Sequence, residues 1–232
     1  MSSAAGILTG LEIQKQIDAG RIVIDPFNPR HVNPASVDLT LGDRVTLYQG
    51  SFEESIKAKD SVDGRTLIAV SSRVKTSPEL IWDTRVAWPT VSRIIDPGIG
   101  WVIKPGICYL MHTVERVRTD HYVPIIDGKS SLGRSFVLVH YTAGYGDPGF
   151  DGQFTLEVTT QIPIRVFPGM RFCQVRFHTL VGDISLYRGH YTGDRAKGAV
   201  GTQLHESGYD TRYKPPVDTR DLEAELMDAL DI

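Results

Sequence analysis

The chain has 232 residues, of which 41% are hydrophobic and 23% are charged, and its formal net charge at pH 7 is −3. This length predicts one domain with an extension, and the hydrophobic content is sufficient for a packed core. The near-neutral charge gives no sign of a nucleic-acid-binding surface, so any phosphate site must be local. No apolar run reaches the length of a membrane span, and the N-terminus lacks the features of a secretion signal. We therefore expect a cytoplasmic protein that binds neither nucleic acid nor membranes.

A short helix is the first predicted element. Thr9 begins a sequence with the spacing of a capping box, in which a hydroxyl accepts a hydrogen bond from the start of the helix. Leu11, Ile13 and Ile17 recur at helical spacing and predict the buried face of this helix. Gly20 provides a stop.

After this helix the sequence predicts β-structure. Short alternating runs are interrupted by Gly and Pro, a pattern typical of a compact antiparallel barrel or sandwich. Cys108 and Cys173 lie in two of these runs, and we expect both thiols to be buried and unpaired, as suits a reducing compartment. The predicted strands cover residues 36–41, 44–48, 107–111, 136–141, 154–158 and 172–177.

Two regions are less regular. Residues 50–100 form a long connection with charged stretches. Near the C-terminus, leucines spaced four apart among acidic residues predict an amphipathic helix that docks on its own domain or on a neighbouring subunit. We therefore divide the chain into a domain of residues 1–212 and a helical tail of residues 213–232.

Residues 128–134, between two of the predicted strands, have a composition suited to binding phosphate. Gly128 lets a backbone approach closely, Ser130 and Ser131 offer hydroxyl donors, and Lys129 and Arg134 offer positive charge. A P-loop is not predicted here, because the first glycine of that motif is missing.

Two carboxylates follow this segment. In the predicted strand 154–158 and beyond it, Thr155, Glu157 and Thr159 share the face opposite the apolar side chains. The pattern by itself leaves open whether Glu157 is solvated or functional. Asp147 lies in an Asp-Pro-Gly sequence, which also favours a turn irrespective of any catalytic role.

These motifs, in this order, resemble the dCTP deaminases and their dUTPase relatives. The family has Arg/Lys-Ser-Ser-Leu-x-Arg, matched at 129–134, and His-x-Thr-Ala, matched at 140–143. Asp-Pro-Gly-Trp/Phe at 147–150 and Leu-Glu at 156–157 follow at spacings that need no gaps. A second block at 33–42 resembles the N-terminal part of the family, so the match does not depend on one short motif.

The resemblance implies an all-β, dUTPase-like distorted barrel that forms a homotrimer with sites shared between subunits. It implies that Glu157 acts as general base and acid when oxygen replaces the C4 amino group of cytosine. Ser130 and Arg134 would stabilise phosphates or the transition state, and Asp147 would hold the sugar or a hydrolytic water. Further substrate contacts are implied for Lys129, Ser131, His140, Ala143, Gly144, Phe150, Tyr191, Lys197 and Gln203.

Zinc chemistry is not predicted. Zinc deaminases combine His-x-Glu with Pro-Cys-x-x-Cys, and neither sequence occurs in this chain. The expected cation is instead Mg²⁺ that binds through the nucleotide triphosphate and water, since hard oxygen ligands suit it.

The turn around Asp147 favours the bifunctional type of this family, which converts dCTP to dUMP and pyrophosphate. That type has Thr-Ala-Gly and Gly-Phe here, as residues 142–144 and 149–150 do, whereas the type that releases dUTP has Thr-Ala-His-Arg and Gly-Trp. Gly146 departs from the usual isoleucine. The alternatives are a deaminase that releases dUTP, a dUTPase or pyrophosphatase without deamination, and a non-catalytic nucleotide-binding regulator.

The family closes its site with a C-terminal segment, which corresponds here to residues 187–203. Two alignments are open. One places His190 and Asp194 at the positions of the family's lysine and glutamine, whereas the other takes Tyr191 as an earlier tyrosine and brings Lys197 and Gln203 nearer to those roles. The exact base, including a modified pyrimidine, therefore stays open.

Overall fold

The structure, a computed structural model, describes residues 5–48, 60–62, 65–67 and 90–188. The C-terminal helical tail and most of the 50–100 connection lie outside these residues. Both therefore stay predictions, as does the domain boundary at residue 212.

The described residues are mainly β-strands, as predicted. Helix α1 spans Gly10–Asp18, a 3-10 turn spans Pro29–His31, and α2 spans Ser130–Gly133. Within the described part of the chain, no helix is long and apolar enough to cross a membrane. The strands in chain order are β1 Ile22–Asp25, β2 Val32–Asn33, β3 Ser36–Thr40, β4 Arg44–Tyr48, β5 Asp60–Val62, β6 Arg65–Leu67, β7 Thr90–Ile94, β8 Trp101–Ile103, β9 Tyr109–Thr119, β10 Tyr122–Gly128, β11 Val137–Leu138, β12 Asp151–Thr160, β13 Ile164–Val166 and β14 Arg171–Thr179.

Two larger antiparallel sheets organise these strands. The first has the order β11-β12-β9-β4-β7, with β1 also paired to β9, and the second has the order β10-β14-β3-β2. Two-stranded sheets are formed by β13 with β8 and by β5 with β6. The predicted catalytic strand β12 lies in the first sheet, whereas β10, which leads into the predicted phosphate segment, lies at an edge of the second.

One hydrophobic core joins the two larger sheets. Leu156 and Met111 of the first sheet and Leu39 and Phe172 of the second are all fully buried in the same cluster. Each such side chain contributes about 1.5–3 kcal/mol when it leaves water. The alternation of buried and outward residues on these strands therefore fixes which side chains can reach a surface site.

Helix α1 confirms the predicted cap and corrects the predicted face. The Thr9 hydroxyl accepts a hydrogen bond from the N–H of the third helical residue at 3.3 Å. Ile13 is fully buried and Ile17 packs against the core, but Leu11 is 81% exposed. The face of α1 that packs on the sheet includes Gly10, where an added Cβ would lie 2.1 Å from a carbonyl oxygen of β2. Leu11 points away from that close contact, so its assignment to the buried face was wrong.

Two further expectations near the strands were wrong. The predicted strand 136–141 is reduced to Val137–Leu138, and its start is set by Phe136, whose positive φ of 59° interrupts extended backbone. Cys173 is buried, but Cys108 is exposed, and both are free thiols. Cys108 precedes β9 and lies between the buried Ile107 and Tyr109, so alternation turns it outward.

Candidate active site

β12 presents Glu157 on the face opposite the core. Leu156 and Val158 are fully buried, and Glu157 between them is half-buried. The backbone N–H of Tyr141 donates to Oε2 of Glu157 at 2.9 Å. Among the described residues Glu157 makes no other hydrogen bond, so Oε1 is available as an acceptor. Thr159, which was predicted to share the polar face of β12 with Glu157, is buried.

The loop that donates to Glu157 also contacts β12 through a side chain. The Tyr141 hydroxyl donates to Oγ1 of Thr159 at 3.4 Å, a long contact. Although the residue as a whole is exposed, partial desolvation of its sulfur raises the pKa of the Cys108 thiol, and the Tyr141 side chain opposes the rise. Thr142 has a positive φ of 57°, so the chain reverses directly after the donor N–H. Sequence analysis missed Tyr141, because its contact uses the backbone and leaves no side-chain signal.

His140 and Gly144 pack against each other. An added Cβ at Gly144 would lie 2.8 Å from Nε2 of His140 and 2.4 Å from the carbonyl oxygen of Ile126. The Gly144 carbonyl accepts a hydrogen bond from the Ile126 N–H at 2.7 Å. Nδ1 of His140 is buried and has no hydrogen-bond partner within the described residues. The structure thus brings these two predicted residues together and joins their loop to β10.

Gly146, the departure from the family pattern, has a local explanation. An added Cβ would lie 3.0 Å from the Pro124 carbonyl oxygen and 3.3 Å from Cε1 of Phe154. The Phe154 ring also packs on Phe150, with ring centroids 4.8 Å apart. These rings and Pro124 occupy the space that a larger side chain at position 146 would need.

Asp147 lies in an exposed turn, as the Asp-Pro-Gly sequence predicts. Its carbonyl accepts a hydrogen bond from the Phe150 N–H at 3.0 Å, and Gly149 has a φ of 88°. The Pro148 carbonyl accepts a hydrogen bond from the Tyr187 N–H at 2.7 Å. An added Cβ at Gly149 would lie 2.9 Å from the Tyr187 nitrogen. The start of the predicted closing segment is therefore packed on the Asp147 turn.

Three substrate contacts implied by the resemblance cannot be located. Tyr191, Lys197 and Gln203 lie outside the described residues. Their assignment stays a prediction.

The phosphate segment forms a short helical turn after β10. Ser130, Ser131 and Arg134 are exposed on α2 and at its end, whereas Leu132 is buried and anchors the turn to the core. Lys129 occupies the position before the helix, and its carbonyl accepts a hydrogen bond from the Gly133 N–H at 2.8 Å. The hydroxyls and the guanidinium are thus presented to solvent on a fixed backbone.

Polar residues of β3 and β14, to which sequence analysis gave no role, bind this segment through an ion pair and hydrogen bonds. Nζ of Lys129 lies 2.6 Å from Oδ2 of Asp38. The Gln174 amide donates to the Gly128 carbonyl at 3.1 Å and accepts from the Ser36 hydroxyl at 2.9 Å. The motif at 33–42 was recognised, but a sequence gives no sign that its side chains meet residues far along the chain.

The predicted site residues fall into two groups. Glu157, His140 and the Asp147 turn lie along β12 and the loop before it, with Ala143 exposed in that loop. Lys129 and the α2 residues follow the edge strand of the other sheet. Within residues 5–48 and 90–188, no hydrogen bond or ion pair joins Ser130, Ser131 or Arg134 to Glu157 or Asp147.

This antiparallel architecture, with its ordered motifs, defines a protein of the dUTPase-like fold class. The sequence profile of the family described as dCTP deaminase-like matches residues 7–180, and the chain belongs to that family. The chain is 34% identical over 182 residues to "dCTP deaminase, dUMP-forming" of Clostridium beijerinckii, and the aligned region covers 78% of this chain and 87% of that protein. A protein of the same name from Leptospira biflexa is 35% identical over 182 residues, again 78% of this chain and 87% of that protein.

A solved structure supports the fold. The crystal structure of 2'-deoxycytidine 5'-triphosphate deaminase from Agrobacterium tumefaciens superposes with a TM-score of 0.52 and 20% sequence identity over 77% of this chain. This chain spans about half the length of that one, since the match covers 49% of it. In the part of our chain that the structure describes, no group of three or more His, Cys, Asp or Glu side chains could hold a metal ion.

The packing of Gly144 generates a prediction about stability. We expect Gly144→Ala to destabilise the protein by about 1–3 kcal/mol, because the new methyl group meets a backbone carbonyl and the His140 ring. Gly133→Ala is the matched control, since an added Cβ there meets nothing within 4 Å, and its effect should stay within about 0.5 kcal/mol. Urea unfolding at one protein concentration measures both. Equal stabilities of the two variants would contradict the described packing.

Proposed function

We propose that this protein hydrolyses dCTP to dUMP, ammonia and pyrophosphate. The observation that carries the proposal is Glu157, a half-buried carboxylate with Oε2 fixed by the Tyr141 N–H and Oε1 available. Membership of the dCTP deaminase-like family and relatives named as dUMP-forming dCTP deaminases support the substrate and the product. Its two free cysteines support a cytoplasmic location.

In the first reaction, a water attacks C4 of the cytosine ring. The C4–O bond forms and the C4–N bond breaks. One proton of the water passes to the amino group, which departs as ammonia, and the other is transferred to ring N3, so that uracil results. Glu157 would accept the first proton at Oε1 and deliver it to the leaving nitrogen, as one carboxyl group can act as base and then as acid.

In the second reaction, a water attacks the α-phosphorus. The bond from this phosphorus to the oxygen that bridges it to the β-phosphorus breaks, which gives dUMP and pyrophosphate. Asp147 would orient this water or the sugar from its exposed turn. The triphosphate would arrive with Mg²⁺, and Ser130, Ser131 and Arg134 would bind its oxygens.

We further propose that residues after Tyr187 contribute contacts to the bound nucleotide. The hydrogen bond from the Tyr187 N–H to Pro148 brings the chain to the Asp147 turn, which supports such a path. Tyr191, Lys197 and Gln203 are the candidates for these contacts.

The sites are proposed to lie between the subunits of a homotrimer. Support comes from the stretch between the two groups of site residues. It carries exposed large apolar side chains, namely Phe136, Leu138 and Tyr141, which a neighbouring subunit would cover.

The role of Glu157 is tested by Glu157→Gln. We expect the turnover of dCTP to fall at least about 100-fold while dCTP still binds, because the amide cannot accept the proton of the water. Asp120→Asn makes the same kind of chemical change, carboxylate to amide, at a turn residue and should retain wild-type turnover. If Glu157→Gln deaminates dCTP at the wild-type rate, the central assignment is wrong.

The products separate the reaction types. We expect dCTP to give dUMP and pyrophosphate with little free dUTP, since the Asp147 turn has the glycine and phenylalanine of the bifunctional type. Chromatography of the nucleotides over a time course measures this. Stoichiometric accumulation of dUTP would support a deaminase alone, and hydrolysis of dUTP with dCTP untouched would support a dUTPase.

Shared sites are tested by complementation between two inactive variants. Arg134→Ala and Glu157→Gln, each inactive alone, are co-expressed with different affinity tags, and the mixed oligomers are purified. A neighbour-built site combines an intact Arg134 from one chain with an intact Glu157 from the next, so each mixed trimer has one intact site and the purified mixed trimers should regain about one third of wild-type activity. No recovery in mixed oligomers would show that each site is built from one chain.

A further inference from the structure

The N-terminal motif at 33–42 has no role in the chemistry above, yet it contains a buried charge. Asp38 lies in the middle of β3, an inner strand of the second sheet, and its side chain is 1% exposed. A buried carboxylate is costly unless cations and hydrogen bonds compensate it. Its partners therefore indicate why the charge is kept there.

Three side chains compensate Asp38. Lys129 Nζ lies 2.6 Å from Oδ2, and an Nη of Arg171 lies 3.3 Å from the same oxygen. The Asn33 amide donates to Oδ1 at 2.8 Å. Both oxygens are thus bound, and the shortest of these contacts is with the residue directly before Ser130.

The two cations differ in how far their side chains are exposed to solvent. The side chain of Lys129 is 19% exposed, whereas that of Arg171 is 57% exposed. A lysine ammonium has three donors, and the Asp38 contact uses one, so others can still reach an anion beside α2. A lysine that is already held in place loses less rotamer entropy when an anion binds.

We propose that Asp38 is a positioning residue of the phosphate site, which holds the Lys129 ammonium in place beside Ser130. Asp38 acts through Lys129 and does not itself touch the nucleotide. The proposal rests on the proposed function in one respect, the binding of a phosphate chain at the Lys129–Arg134 segment. It gives the N-terminal motif a role in substrate affinity in addition to its role in the fold.

A second buried carboxylate provides a matched control. Both oxygens of Glu115 accept hydrogen bonds from Thr40, from its N–H and its hydroxyl, each at 2.8 Å. Burial raises the pKa of the Cys173 thiol, and both Glu115 and Asp38 contribute to the rise, so the two carboxylates belong to one buried region. Glu115 has no ion pair with a cation in the described chain. Its neutralisation therefore changes the local charge without releasing Lys129.

The experiment is a double-mutant cycle on binding. Inorganic tripolyphosphate with Mg²⁺ is titrated calorimetrically into the wild-type protein, Asp38→Asn, Lys129→Met and the double variant. We expect each single change to weaken binding about tenfold and the double variant to bind no more weakly than Lys129→Met alone. Glu115→Gln should bind like the wild type.

Several outcomes would overturn the proposal. They are additive losses in the double variant, an equal loss in Glu115→Gln, and a wild-type protein that does not bind tripolyphosphate. If Asp38→Asn does not fold, Asp38→Glu replaces it in the cycle, because it keeps the charge but displaces Lys129, and the same non-additivity is expected.

Turnover is measured separately, so that the two proposals can fail independently. A wild-type protein that binds tripolyphosphate but leaves dCTP unchanged would contradict the proposed function, while the binding cycle still decides the role of Asp38. In an active protein, we expect Asp38→Asn to raise the KM for dCTP by a larger factor than it lowers kcat.

Discussion

The pairing of β12 with β9 is the constraint on which the rest of the site depends. Leu156 lies opposite Met111 and Glu157 lies opposite Leu110, with the apolar side chains of β12 in the core. Because side chains alternate along a strand, a shift of one residue would place Glu157 in the core and Leu156 in water. The hydrophobic free energy of these residues therefore holds the carboxylate at the surface.

Once Glu157 is fixed, the backbone of the preceding loop completes its surroundings. The loop must reverse after Tyr141 to place its N–H on the carboxylate, and it does so through the positive φ of Thr142. It must then return to β10, where Gly144 and Gly146 form backbone hydrogen bonds with Ile126 and Pro124. The small residues follow from the closeness of that approach, which the hydrogen bonds require.

Polar residues of the second sheet are arranged differently. Asp38 is buried next to the phosphate segment and pairs with Lys129 and Arg171, whereas Ser130 and Arg134 are exposed to solvent. Such a buried pair is weak evidence for stability, because desolvation cancels much of the attraction between the charges. Its effect is on geometry instead, because the contact holds the Lys129 ammonium at the buried carboxylate.

The sequence by itself determined the strand character of β3, β4, β12 and β14, the cap of α1 and the order of the chemical motifs, because these depend on local alternation and on neighbours in the chain. It did not predict β10, where Pro124 argues against a strand, yet Pro124 is tolerated because β10 lies at a sheet edge and needs no N–H there. Only the tertiary structure decided that Asp38 meets Lys129, that Leu11 faces solvent and that the Tyr141 N–H reaches Glu157. The physical reason is that these features depend on which distant strands pair, and strand pairing is set by the burial of the whole core and not by any one segment.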